Sequence, residues 1–207
     1  MKSFKKNIYC TSLDSDTPIA CPDVTIGSQI WTGCNLNVDT YRNGDPIPQV
    51  TDPTAWASLT TGAWCYYNND SANGPTYGKL YNWYAVNDPR GLAPVGYHIP
   101  TDVEYNTLIT TLGGTLIAGG PLKETGTTHW TAPNTGATDS TGFTALPGGF
   151  RLNDGVYYEL GLTMDNWTST DIDINTARVI VIYNNNAGAY TGAMQKERGL
   201  SIRLIKD

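Results

Sequence analysis

Residues 96–114, GYHIPTDVEYNTLITTLGG, constrain this chain more than any other stretch, because helix start, body and stop are all written there. Thr101 is placed as an N-cap whose hydroxyl accepts from the Glu104 amide, and Glu104 stands where a capping box needs an acid. Asp102 adds negative charge to the first turn. Val103, Leu108 and Leu112, with Tyr105 and Ile109 beside them, fall on one broad apolar face. Gly113 and Gly114 then tolerate the positive φ that ends a helix. One helix of about eleven residues among strands and loops predicts a loop-rich α+β domain, with that helix packed across a sheet.

Around this helix the chain reads as strands and turns. Gly27-Ser28 separates two alternating apolar runs, a hairpin signal, and Asp154-Gly155 marks a second hairpin over residues 151–158. Pro53 opens a short helix within residues 51–59. Residues 64–69 (WCYYNN) read as a strand, and residues 77–86 return rich in Tyr and Trp, a run that packs as core before it serves as a ligand cage. Residues 167–170, 177–183 and 199–205 are the last strands, joined by polar loops over 171–176 and 184–196.

A chain of 207 residues supports one sizeable core, and the division expected is a tail over 1–22 and a domain over 23–207. The net charge of −6 lacks the clustered Lys and Arg that phosphate contacts need, so no nucleic-acid partner is expected. No window has the run of apolar residues that crosses a bilayer, so no membrane insertion is expected either. The start MKSFKK is not followed by the apolar segment of a signal peptide. Four cysteines, Cys10, Cys21, Cys34 and Cys65, lie too far apart for a zinc knuckle. An even count allows two disulfides, with Cys10–Cys21 and Cys34–Cys65 the preferred pairing and free buried thiols the alternative.

The ordered segments VTIGSQIW, GAWCYYNND, YGKLYNWYAV, GYHIPTDVEYNTLITTLGG, GFTALPGGF, WTST and GLSIRLIKD resemble the Fibrobacter succinogenes major paralogous domain family, over about residues 23–207. That family, common in Bacteroidetes and their phages, is similar in turn to the sulfatase-modifying, formylglycine-generating superfamily, a variant of the C-type-lectin-like fold. The resemblance implies mostly antiparallel strands with one or two short helices, domain ends close together, and long loops presenting a binding surface on one side. The superfamily's oxygen-dependent enzymes rely on cysteines in their C-terminal half, whereas this chain has none after Cys65. An enzyme of that type is therefore the weakest expectation.

The residues themselves offer little chemistry. His98 and His129 stand apart from other metal ligands, and each reads as structural. Asp171, Asp173 and Asn175 alternate as calcium ligands could, but the run lacks the Gly and distal Glu of an EF-hand, so no cofactor is expected and a structural calcium ion has no spacing to support it. What remains is a surface. Trp167, Asp171, Asp173, Asn175, Tyr183, Asn184, Asn185, Asn186 and Tyr190 concentrate the aromatic and amide groups that adaptable binding surfaces use. The expectation is a non-enzymatic recognition or decoration module on a virion surface, a head or tail fibre component contacting a host-cell glycan or protein. Its tail would bind virion proteins, or sister subunits in a homo-oligomer. A secreted or cell-surface adhesion domain is the alternative.

Overall fold

The structure, a computed structural model, describes residues 9–10, 19–20 and 21–207. Its strands are β1 (Tyr9–Cys10), β2 (Ile19–Ala20), β3 (Asp23–Ile26), β4 (Gln29–Thr32), β5 (Trp64–Cys65), β6 (Leu80–Tyr81), β7 (Tyr97–His98), β8 (Phe150–Arg151), β9 (Tyr157–Tyr158), β10 (Thr163–Asp171), β11 (Thr176–Tyr183), β12 (Ala189–Gln195) and β13 (Ile205–Lys206). Its helices are α1 (Pro53–Ala57), α2 (Gly74–Tyr77), α3 (Trp83–Val86), α4 (Asp102–Thr111) and α5 (Gly119–Leu122). The strands pair antiparallel in small sheets, so the fold is a loop-rich α+β one with more short helices than the one or two expected. The sheet β3-β4-β13-β7 joins the two ends of the domain, and Lys206 Nζ lies 2.6 Å from Asp23 Oδ2.

The capping box forms as its sequence dictates. Thr101 Oγ1 accepts from the Glu104 amide at 3.2 Å, while the Thr101 amide donates to Glu104 Oε2 at 2.7 Å. Tyr105, Leu108 and Ile109 are the buried face of α4; Val103, expected beside them, is 72% exposed. It occupies the first turn, on the side turned away from the sheet. That buried face packs on the meander β10-β11-β12, against Met164, Ile180, Ile182 and Ala189, with Trp31 closing the layer. The opposite face of the meander carries Trp167, Ala177, Val179 and Val181 against Tyr81, Trp83 and Phe150. Each large apolar side chain buried in these layers contributes roughly 1.5–3 kcal/mol.

Loops have no ladder to satisfy their carbonyls, and here buried cations do that work. Arg203, wholly buried, donates to the carbonyls of Thr32, Phe143 and Thr144 and to Asn35 Oδ1. Arg151, equally buried, donates to the carbonyls of Val50, Thr51 and Gly155. Each guanidinium thus ties segments far apart in sequence.

Four expectations are corrected. The strand over 64–69 stops at Cys65, because Asn68 and Asn69 adopt positive φ and turn the chain into a 3-10 segment. The loop expected over 184–196 contains β12, a strand of small and polar residues with no apolar alternation to announce it. Of residues 199–205 only Ile205 joins a regular ladder; Gly199, Leu200 and Ser201 make single bridges to three different segments. The cysteine pairing also differs. Cys21 and Cys34 are joined, Cα atoms 5.5 Å apart, because the β3–β4 hairpin brings Pro22 against Gly33 and sets the flanking residues face to face. Cys65 is a buried free thiol on β5, and the Cys10 side chain lies outside the described residues, as does most of the expected 1–22 tail.

Candidate functional site

In a meander the two connecting turns lie at opposite ends of the central strand. β11 has eight residues, so those turns are about 25 Å apart. The nine residues expected to share one surface are divided by this geometry. Trp167 leaves the surface altogether, fully buried with its indole Nε1 donating to the Tyr81 carbonyl at 2.8 Å.

Asp171, Asp173 and Asn175 form the β10–β11 turn, where their polar groups are spent on building it. Asp173 Oδ1 accepts from the Asn175 and Thr176 amides at 2.8 Å, bonds that hold its carboxyl below the usual range. Lys196 Nζ lies 2.7 Å from Asp171 Oδ1 and donates to the Asp173 carbonyl at 2.6 Å. No group of three or more His, Cys, Asp or Glu placed to hold a metal occurs among the described residues.

The β11–β12 turn carries the other five. Lys123, wholly buried, sends its ammonium to the carbonyls of Thr135 (2.8 Å), Asn186 (2.8 Å) and Tyr183 (3.1 Å). Burial pulls its pKa down to about 8. Asn184 donates from Nδ2 to the Thr131 and Ala132 carbonyls, and Asn186 Oδ1 accepts from the Gly188 amide and the Tyr190 hydroxyl. Backbone packs on backbone here, since a Cβ at Gly119 would sit 2.1 Å from the Gly188 carbonyl oxygen. Asn184 and Asn186 are therefore framework. Tyr183, 38% exposed, and Asn185 face solvent, with the Tyr190 ring 6.0 Å from that of Tyr183.

Sequence reasoning missed the neighbours of Tyr183. The Asn184 amide donates to the Leu162 carbonyl at 2.9 Å, and Thr163 is the cross-strand partner of Tyr183. Leu162 is thereby brought alongside; Leu160 and Tyr158 precede it, and all three are more than a third exposed. The signal was the Glu159–Leu162 turn, where Glu159 and Gly161 take positive φ and the leucines beside them are left exposed.

Beneath this patch lies an acid pair. Thr163 Oγ1 is within hydrogen-bond distance of Asp165 Oδ2 (2.5 Å) and Glu159 Oε2 (3.1 Å). A hydroxyl has one proton to give and an ionised carboxylate has none, so one of the two acids must carry a proton for both bonds to form. Burial selects Asp165, which is only 2% exposed. Loss of solvent drives its pKa up to about 7, opposed by the Thr163 hydrogen bond, reinforced by Glu159 and opposed by Arg198.

His98 is clamped between Glu104 and Asp207 at 2.8 Å on each ring nitrogen. A shallow depression of about 320 Å³ on α4 is lined by Val103, Asn106, Thr107, Thr110 and Thr111. Its three threonine hydroxyls are committed to carbonyls one turn back. No helix among the described residues is long and apolar enough to cross a membrane.

A family model described as the Fibrobacter succinogenes major domain matches residues 24–206. The chain belongs to the Fibrobacter succinogenes major domain family. No curated protein and no solved structure matches it. The family's span runs from β3 to β13, strands of one sheet. The β11–β12 turn is thus a feature of this Fibrobacter succinogenes major domain.

Proposed function

We propose that this domain is a non-enzymatic recognition module that meets its ligand through Tyr183, Asn185, Tyr158, Leu160 and Leu162. One observation carries the reading: Tyr183 and Asn185 face solvent at a turn whose own backbone is locked by Lys123 and Asn184, with exposed Leu162 hydrogen-bonded beside it. Ordering that turn in advance lowers the entropy lost on binding. The surface suits display on a virion, in a head or tail fibre component that reaches a host-cell glycan or protein. A second reading, a secreted or cell-surface adhesion domain, is favoured by the Cys21–Cys34 disulfide, since such bonds persist in oxidising surroundings. An enzyme related to the formylglycine-generating group has the least support, because Cys65, the free thiol among the described residues, is buried and burial pushes its pKa up.

The test is binding of the labelled protein to intact cells of the species that carries the gene and of hosts of its phages. Tyr183→Ala is expected to lower binding at least ten-fold, a loss of about 1.4 kcal/mol, with an unchanged melting temperature. Binding that Tyr183→Ala and Tyr158→Ala both leave intact, or none by the wild type, would refute the reading. Mass spectrometry of purified virions separates the two display sites.

A further inference from the structure

The cluster Glu124, His129 and Tyr77 is assigned no part in the surface described above, yet the backbone leads straight to it. Asn184, next to Tyr183, donates through Nδ2 to the Thr131 carbonyl at 3.1 Å. Thr131 in turn donates its amide to the Gly161 carbonyl at 2.8 Å, between Leu160 and Leu162. His129 is two residues away on the same segment. Its Nδ1 lies 2.9 Å from both Glu124 carboxylate oxygens, and the Tyr77 ring meets its imidazole edge-on at 5.8 Å. Both side chains of the dyad keep solvent contact, at 30% for His129 and 21% for Glu124.

A neutral imidazole that gives its Nδ1 proton to a carboxylate has a fixed tautomer, with Nε2 as an acceptor. The Glu124 oxygens retain lone pairs for further donors. Such a site accepts hydrogen bonds from hydroxyls next to an aromatic ring. Of the nearby cations, Lys123 is spent on three carbonyls, and the Arg198 guanidinium lies over the Phe150 ring, 5.6 Å from its centre. With Glu159 and Glu124 beside it and a net charge of −6, this surface repels a phosphate, sulfate or uronate more than an uncharged chain. A hydroxyl-rich, uncharged chain with apolar ring faces fits both ends.

Building on the recognition reading, we infer that Tyr77, His129 and Glu124 form a second contact region for the same ligand, an uncharged oligosaccharide long enough to reach from Tyr183 to His129. Tyr183 and Tyr158 stack on sugar faces at one end. His129 and Glu124 accept hydrogen bonds from sugar hydroxyls at the other.

The experiment is a glycan array of neutral and anionic oligosaccharides graded from disaccharide to octasaccharide, read with wild type, Tyr183→Ala, His129→Gln and Glu124→Gln. Neutral glycans should bind, more tightly with length up to a plateau. Tyr183→Ala should weaken every length, whereas His129→Gln should weaken only the longer ones, by about ten-fold, equivalent to one 1.4 kcal/mol contact. Glu124→Gln repeats the measurement should His129→Gln fail to fold, and thermal melting identifies that case. Preference for anionic glycans, or equal loss at all lengths in both dyad variants, would overturn the inference. Cell binding that depends on Tyr183 without any glycan bound would also overturn it while leaving the recognition reading intact; loss of cell binding altogether refutes both.

Discussion

The ammonium of Lys123 lies 2.8 Å from the carbonyl oxygen of Asn186, sixty-three residues later in the chain. With the carbonyls of Thr135 and Tyr183 it makes a three-fold cage in which a side chain substitutes for a ladder. Lys123→Met keeps the aliphatic stem and removes all three donors. Leaving buried carbonyls unpaired costs about 1–3 kcal/mol each in the worst case, and partial relaxation should bring the total to about 3 kcal/mol. The melting temperature should fall, and amide exchange should quicken at residues 183–188 before it quickens in α4. Uniform quickening would mean that the cage supports the whole domain and not the turn.

The shared proton of Asp165 gives the second prediction. Its folded pKa, about 7, stands above the ordinary carboxyl value of 3.8, so between those limits the folded state holds a proton that the unfolded chain has lost. Stability from this group therefore falls as pH rises from about 4 to about 7, then levels. Asp165→Asn keeps a donor toward Thr163 and cannot ionise. The variant should match wild type near pH 4 and exceed it by on the order of 1–3 kcal/mol above pH 7. Denaturant titrations across that range decide the matter; a constant difference would show that Asp165 is not the protonated partner.

What the sequence disclosed depended on how local each signal was. The α4 capping box and the turns at Gly27-Ser28 and Asp154-Gly155 are written within a few residues, and all three form as read. β12 escaped because AYTGAMQ keeps its buried positions small, so periodicity gives no contrast. The residues of the proposed contact surface were half legible. Tyr183 and Asn185 stand where an exposed turn should hold them, but Trp167 lies in the part of β10 that is buried on both faces, a sandwiching that no local pattern shows. Nothing local marks Lys123, Arg151 or Arg203 as buried, because, the Gly155 carbonyl beside Arg151 apart, their partner carbonyls are 12 to 171 residues distant.

His98 provides the third prediction, through the same proton count. Its two ring nitrogens face Glu104 Oε1 and Asp207 Oδ1, each at 2.8 Å. A neutral imidazole has one N–H, so only the imidazolium satisfies both acceptors. Partial burial pulls the His98 pKa down, but the hydrogen bonds and charges of Glu104 and Asp207 outweigh it and leave it raised above 6.5. Glu104, for its part, is held below its usual value: burial raises it, and the Thr101 amide and His98 more than reverse that. Because the histidine is raised, its contribution is complete below pH 6.5 and is lost as pH climbs through the folded value. The bridge is partly solvated, which limits it to about 1 kcal/mol. His98→Gln, able to satisfy one acceptor, should lower stability by that amount near pH 5.5 and by little at pH 9. Equal losses at both pH values would mean that the clamp works without the imidazolium, and that Glu104 alone, through the capping box, anchors the start of α4.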